Sequence, residues 1–219
     1  MRRLVVWAGT DEWRAEAASV ELLGKGVKAT GTQIGRYPAP YRLDYELDAA
    51  DNFITRNLEV AVTGDGWWRR LSLTHDGNGG WSCDASQEGG IDLPSPGGDM
   101  GAVEGALDCD LGLSPMTNLM PVRRHRLHER PGEVSFRMAW VSVPALAVHL
   151  SKQRYEHVRR GEDRSVVRYV GEHRSYVGEL VVDVDGLVLV YPDLARRVDL
   201  RDDGSDDRVF SSPTGTGSL

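Results

Sequence analysis

The stretch from residue 107 to residue 128 concentrates the side chains that could do chemistry. Asp108 and Asp110 come first, then the pairs Ser114-Pro115 and Thr117-Asn118, then Arg123 and Arg124, with His125 and His128 close behind. On a strand, residues two apart leave the same face, so both carboxylates share one side while Cys109 leaves the other. Like charges that close cost free energy unless cations or donors offset them. Arginine suits the task because its planar fork donates two parallel hydrogen bonds to a carboxylate. Read as strand residues, Arg123 and Arg124 point to opposite faces, and only one of them can join the acids. The turn-forming pairs between acids and arginines add hydroxyl and amide donors and acceptors.

Three kinds of chemistry fit this cluster: a structural Asp–Arg network, a polar head-group site beside an apolar space, or a catalytic or metal site. Paired carboxylates act as general acid and base in glycoside hydrolysis at separations of roughly 5 to 9 Å, and two acids on one strand stand near the lower limit. His125-x-x-His128 lacks the helical His-Glu-x-x-His setting of a zinc site, and His149, His157 and His173 show no ligand spacing. No nucleophile elbow, P-loop or dinucleotide fingerprint appears, so no cofactor is expected. Arg123, Arg124, Arg126 and Arg130 form a local basic patch, either a solvated face or a salt-sensitive attraction for an anionic ligand. Trp7, Trp67, Trp68, Trp81 and Trp140 are expected mostly in the core, with one or two able to line a ligand cavity.

The elements that must position these residues read as β-strands, short apolar-alternating runs broken by glycine turns. Expected strands are Arg3–Ala8, Ser19–Leu23, Val27–Gly35, Tyr41–Leu47, Ile54–Thr63, Trp67–Thr74 and Ala106–Leu111. Val122–His128, Glu133–Val143, Leu146–Val158, Ser165–Val170, Ser175–Val184 and Leu187–Tyr191 follow. Asp11–Ser19 has the composition of a helix capped by Asp11. Asp185-Gly186 predicts a type I′ hairpin with Val184 facing Leu187 and Val182 facing Leu189, apolar on both faces apart from Asp183. Asp84–Gly105, rich in glycine and proline, reads as a long, poorly structured loop.

The chain has 219 residues, with 33 acidic against 26 basic and a formal charge of −7. That length and rhythm predict a single β domain over residues 1–200, followed by a disordered acidic and Ser/Gly-rich tail over 201–219. The acidic balance argues against nucleic acid as a partner. No apolar run approaches the ~20 residues of a membrane span, so no membrane insertion is expected and the cytoplasm is the default location. Cys83 and Cys109 are expected to be reduced.

The run Asp108-Cys109-Asp110-Leu111, Ser114-Pro115-Met116-Thr117-Asn118 and Pro121-Val122-Arg123-Arg124 resembles the signature of a bacterial family named "putative glycolipid-binding", formerly a domain of unknown function. Gln153-Arg154-Tyr155, Val182–Val188 and Tyr191–Arg197 match further blocks, as do Tyr41–Tyr45, Ile54-Thr55-Arg56 and Gly79-Gly80-Trp81. The resemblance covers most of residues 3 to 198. It implies a mainly β fold, a curled antiparallel sheet forming a spiral β-roll or half-open barrel, similar to bacterial lipoprotein and lipid carriers. By that likeness it implies a protein that holds an amphipathic lipid or glycolipid in an apolar β-lined cavity, with ~0.8 kcal/mol gained per buried CH₂. The expected ligand-binding residues are Asp108, Asp110, Thr117, Asn118, Arg123 and Arg124, joined through the resemblance by Gln153 and Tyr155. This chain departs from the family at Phe53, where tryptophan is frequent, at Ala106, where cysteine is expected, and in the length of Asp84–Gly105. The alternatives are a small-molecule enzyme using Asp108 and Asp110, or a protein-interaction module working through an exposed sheet edge.

Overall fold

The computed structural model describes residues 1–172 and 175–198; the expected tail over 201–219 and His173 lie outside the described residues. Strands Arg2–Gly9 (β1), Arg14–Leu23 (β2), Gly26–Gly35 (β3), Tyr41–Ala50 (β4), Ile54–Gly64 (β5), Trp67–His75 (β6) and Trp81–Gly89 (β7) form a meander. A loop leads to Asp108–Leu111 (β8), a 3-10 turn at Met116–Asn118 and the helix Leu119–Arg124 (α1). Glu133–Val141 (β9), Val148–Arg160 (β10), Arg164–Gly171 (β11), Tyr176–Asp183 (β12), Val188–Tyr191 (β13) and Ala195–Arg197 (β14) follow. The 14 strands of the described residues pair in one sheet, in the order β7-β6-β5-β4-β3-β2-β1-β14-β13-β12-β11-β10-β9-β8. Neighbours are antiparallel except β8 and β9.

The mainly β class holds, but the expected spiral β-roll or half-open barrel does not. Pairing runs in one line with β7 and β8 as its ends, so the sheet is open among the described residues. The physical reason lies in β8, which has four residues, runs parallel to β9 and leaves into a turn and a helix. Among the described residues no further strand pairs beside it to close the sheet.

Period-two burial explains most strands. On β4, Tyr41, Leu43, Tyr45, Leu47 and Ala49 are buried while Arg42 and Glu46 are exposed. The same alternation overrules the helix expected over Asp11–Ser19. Glu16, Ala18, Val20 and Leu22 share the buried face of β2, whose backbone pairs with β1 on one side and β3 on the other. Ladder bonds and burial on both sides outweigh the modest helix preference of alanine and glutamate. Gly31 on β3 is required by packing: a Cβ there would lie 2.4 Å from the Tyr45 ring.

Three other expectations are corrected. Val122–His128 is not a strand; its first residues end α1, where Pro121 sits in the first turn and costs no hydrogen bond. Arg123 and Arg124 fall in the last turn, favourable for the helix dipole. The hairpin at Asp185-Gly186 is wider than a two-residue turn, pairing Val182 with Val188 and Val181 with Val190. Asp183 sets it: Oδ1 accepts the N–H of Asp185 and of Leu187, both at 3.0 Å. The Asp84–Gly105 segment is ordered, since β7 runs to Gly89 and Val103 is buried in the core. Arg69 ties it down, donating to the carbonyls of Pro94, of Leu93 at 3.3 Å and of Ala145 at 2.7 Å.

The principal core is filled by Leu43, Leu58, Leu71 and Leu73 of the meander against Leu111, Met116, Leu119 and Met120 of the β8–α1 segment. Thr55 of β5 joins the two parts, its N–H donating to Leu107 O (3.1 Å) and its hydroxyl accepting from Cys109 N–H (3.1 Å). Among the described residues no helix is long and apolar enough to cross a membrane.

Candidate functional site

The two acids of β8, two residues apart on one strand, meet different partners along its length. Asp108 is buried and meets Arg124, which donates to both carboxylate oxygens. Arg124 also donates from Nε to Asn52 O (3.0 Å) and from Nη2 to Phe53 O (2.6 Å). Burial pushes the Asp108 carboxyl up from its usual range, and the Arg124 guanidinium pulls against it. This pair is a structural clamp between β8, α1 and the turn after β4. Arg123, about 100° round the helix, donates to Asp185 O (2.9 Å) with its guanidinium over the Phe53 ring at 5.3 Å.

Asp110 faces a cleft. Thr117 Oγ1 donates to one of its oxygens (2.8 Å) and Gln153 Nε2 to the other (2.6 Å). The Tyr155 hydroxyl lies 2.9 Å from Asn118 Oδ1 and 3.1 Å from Gln153 Oε1, so it links the 3-10 turn to β10. Burial and the neighbouring Tyr169 hold the Tyr155 phenol well above its usual range, keeping it a neutral donor. Such a network fixes the Asp110 carboxylate before any ligand arrives.

The cleft has a volume of about 250 Å³. Asp110, Ser114 and Asn118 give it a polar side, and Leu111, Gly112 and Leu113 the base between them. Trp140 of β9 and Tyr169, Tyr176 and Tyr191 of β11, β12 and β13 give it an aromatic wall. The tyrosine centroids stand 5.8 to 6.0 Å apart in a near-equilateral triangle. Tyr176 donates to Pro192 O at 2.6 Å, and the loop Pro192–Leu194 closes that end with Asp11.

Of the residues expected from sequence, Asp110 and Asn118 line the cleft, and Thr117, Gln153 and Tyr155 hold those two from behind. Asp108, Arg124 and Arg123 stand apart from it: of the two arginines only Arg124 joins an acid, and that acid is Asp108, behind the cleft lining. The tyrosine wall escapes a reading based on acids and bases. Its signal is Tyr169-x-Gly171 and Tyr176-x-Gly178: a Cβ on either glycine would meet the hydroxyl end of its tyrosine, at 2.8 and 2.4 Å. The sequence leaves room for a tryptophan in a cavity wall, and Trp140 is there.

Glu16 is also missed, because it stands where an apolar β2 residue belongs. The hydroxyls of Tyr45 (2.7 Å) and Ser114 (2.8 Å) donate to its Oε1. Burial pushes its carboxyl up to about 7, with those hydrogen bonds pulling the other way. Ser114 links it directly to the cleft. Among the described residues no group of three or more His, Cys, Asp or Glu side chains could hold a metal ion.

Comparison with known proteins agrees with this architecture. The family described as "Putative glycolipid-binding" matches residues 4–197. A crystal structure of a DUF1089 family protein from Pseudomonas aeruginosa is similar over 84% of this chain and 92% of that chain, with 26% identity and a TM-score of 0.64. Comparison with curated proteins finds no match.

Proposed function

The chain belongs to the family described as "Putative glycolipid-binding", and from that membership we propose that it binds the polar headgroup of an amphipathic lipid or glycolipid in the cleft beside Asp110. The observation that carries this reading is the pairing of an aromatic wall with a fixed polar side. Flat rings such as Trp140 pack against the apolar face of a sugar, while the Asp110 carboxylate and the Asn118 amide suit its hydroxyls. Thr117 and Gln153 hold Asp110 in place, so little ordering is left for binding to supply.

Size sets the division of labour. At about 250 Å³ the cleft falls below the span of about 300–1,000 Å³ usual for drug-sized ligands, so it takes one ring-sized headgroup and leaves the tail outside. Trp13, 64% exposed, lies on the segment that carries Asp11 and offers apolar surface to that tail. Each CH₂ it shields contributes up to ~0.8 kcal/mol. Cys83 and Cys109 are both free, which suits the reducing cytoplasm this reading assigns. The acid–base alternative has Asp108 buried against Arg124 and outside the cleft, which takes one of its two carboxylates away from a bound substrate.

Native mass spectrometry of the purified protein, with organic extraction of the same sample, tests the reading. The expected result is an amphipathic lipid on the wild type that is depleted in a folded Trp140→Ala variant. A wild-type protein that carries no lipid and takes up no n-octyl β-D-glucoside overturns it.

A further inference from the structure

Glu16 lies on the buried face of β2 among Ala18, Val20 and Leu22. Tyr45 reaches it from β4, Ser114 from the loop after β8, and the Gln33 amide of β3 stands 3.4 Å from its Oε2. β1 opposes it with Trp7, which carries no titratable group. The other charged or titratable groups around it are Arg14, two residues along its own strand, and Tyr41 of β4.

A cavity of about 10 Å³ adjoins Glu16, lined in part by Arg14, Gln33, Trp7 and Leu113. That is the size of a single water. Arg14 Nε and Gln33 Oε1, one donor and one acceptor, are buried there without a hydrogen-bond partner. Ordered water commonly satisfies buried polar groups that protein does not, and this cavity has room for one such molecule. Both ends of this cluster reach the ligand cleft. Ser114 lines it, and Arg14 Nη2 donates to Asp11 and to Leu194 O, which line it too.

Resting on the binding reading above, we propose that Glu16 and the water-sized cavity beside it form a proton-linked positioning site that sets the Asp11–Ser114 side of the cleft. Ionised Glu16 accepts from Tyr45, Ser114 and Gln33, and such charge-assisted bonds are about twice as strong as neutral ones. When Oε2 takes a proton from solvent, its new O–H needs an acceptor, and a half-turn of the Gln33 amide presents Oε1. Ser114 then donates to a neutral oxygen and its loop is held less firmly. Burial places the changeover at about 7, so both forms are populated near neutrality. A ligand that needs the firm loop favours ionised Glu16, and by linkage its binding releases a proton.

The test is an NMR titration of the full chain without ligand, across roughly pH 5 to 9. It follows the Glu16 carboxyl carbon and the backbone amides of Asp11, Ser114, Met116 and Leu194. A shared midpoint near 7 is the expected result. Amides that stay still while Glu16 titrates overturn the proposal, and so does a Glu16 carboxyl that does not titrate in this range. With n-octyl β-D-glucoside as probe, affinity is expected to rise about fivefold from the acidic to the basic end, a change absent in Glu16→Gln. A probe that binds with pH-independent affinity overturns the coupling and leaves the binding reading standing. A probe that fails to bind overturns the binding reading, while the amide titration still decides the coupling.

Discussion

Arg124 grips Asp108 across 16 residues of sequence, Nη1 donating to Oδ2 at 2.8 Å and Nη2 to Oδ1, with the side chains 5% and 1% exposed. The same guanidinium holds the carbonyls of Asn52 and Phe53, which sit in a turn where Asp51, Asn52 and Phe53 have φ of 49°, 75° and 65°. Successive residues in the left-handed region cost free energy, and Arg124 offsets it with two bonds to that turn. Arg124→Met leaves a buried carboxylate unpaired and is expected to cost about 3–5 kcal/mol in urea unfolding. Asp108→Leu combined with Arg124→Met should recover part of that loss, because apolar replacement removes the unpaired charge. Equal losses in the single and double variants would argue that the turn contacts matter more than the ion pair.

Asp183 is a second hub. Its Oδ1 caps the hairpin turn, while its Oδ2 meets Arg197 at 2.7 Å and Arg3 at 3.0 Å. This joins β12, β14 and β1, where the two halves of the sheet meet. Asp183→Asn keeps an acceptor for the turn and loses the charge, so about 1–3 kcal/mol of stability should go; Asp183→Ala should cost more. Thermal unfolding by circular dichroism would rank the two, and a ranking in the opposite order contradicts the turn-capping role.

Where the sequence was legible, period two made it so. The alternation in Tyr41–Leu47 and the apolar runs around Val182 and Val188 place strands close to those observed, and Asp110, Thr117, Asn118, Gln153 and Tyr155 do converge. Alternation is local and survives in one dimension. The misplaced features depend on contacts distant in sequence. Arg14–Leu23 is strand because β1 and β3 flank it, against its own helix preference. Arg123 and Arg124 sit on a helix of six residues whose apolar side is buried under the sheet, too short to show a period. Sheet closure is a matter of which edges pair, and no strand carries that information in its own residues. The tyrosine wall draws on three strands, and only the Tyr-x-Gly spacing hints at it.

The cleft makes a prediction that separates binding from stability. Trp140 is half-buried, stacks beside His149 with centroids 6.0 Å apart, and lies outside the tightly packed core clusters. Trp140→Ala should weaken binding of n-octyl β-D-glucoside about tenfold, a loss in the range of one aromatic stacking contact. The unfolding midpoint should shift far less than for Arg124→Met. Isothermal titration calorimetry beside a melting curve makes the comparison. Unchanged affinity would move the headgroup to another surface.

Trp13 makes the complementary prediction for the tail. It is 64% exposed on the loop that carries Asp11 at the cleft rim. Trp13→Ala should weaken binding of the octyl glucoside more than binding of methyl β-D-glucoside, because only the former has a chain to shield. An equal effect on both would mean that Trp13 acts on the loop and not on the tail.

Glu16 predicts the shape of the stability curve against pH. Burial raises its carboxyl from the ordinary 4.5 to about 7 in the folded protein, so between those values the folded state binds its proton more tightly than the unfolded chain. Stability from this residue is therefore full below about 4.5, falls as pH rises towards about 7, and is flat above. The fall is on the order of 3 kcal/mol, from about 1.4 kcal/mol per pKa unit. Glu16→Gln cannot ionise, and the hydroxyls of Tyr45 and Ser114 can turn to accept or donate, so the variant should fold. Its urea-unfolding free energy should lack this fall and exceed that of the wild type at pH about 8. A wild-type curve parallel to that of the variant between those pH values would mean that Glu16 keeps an ordinary carboxylate pKa, and that burial on β2 does not tax its charge.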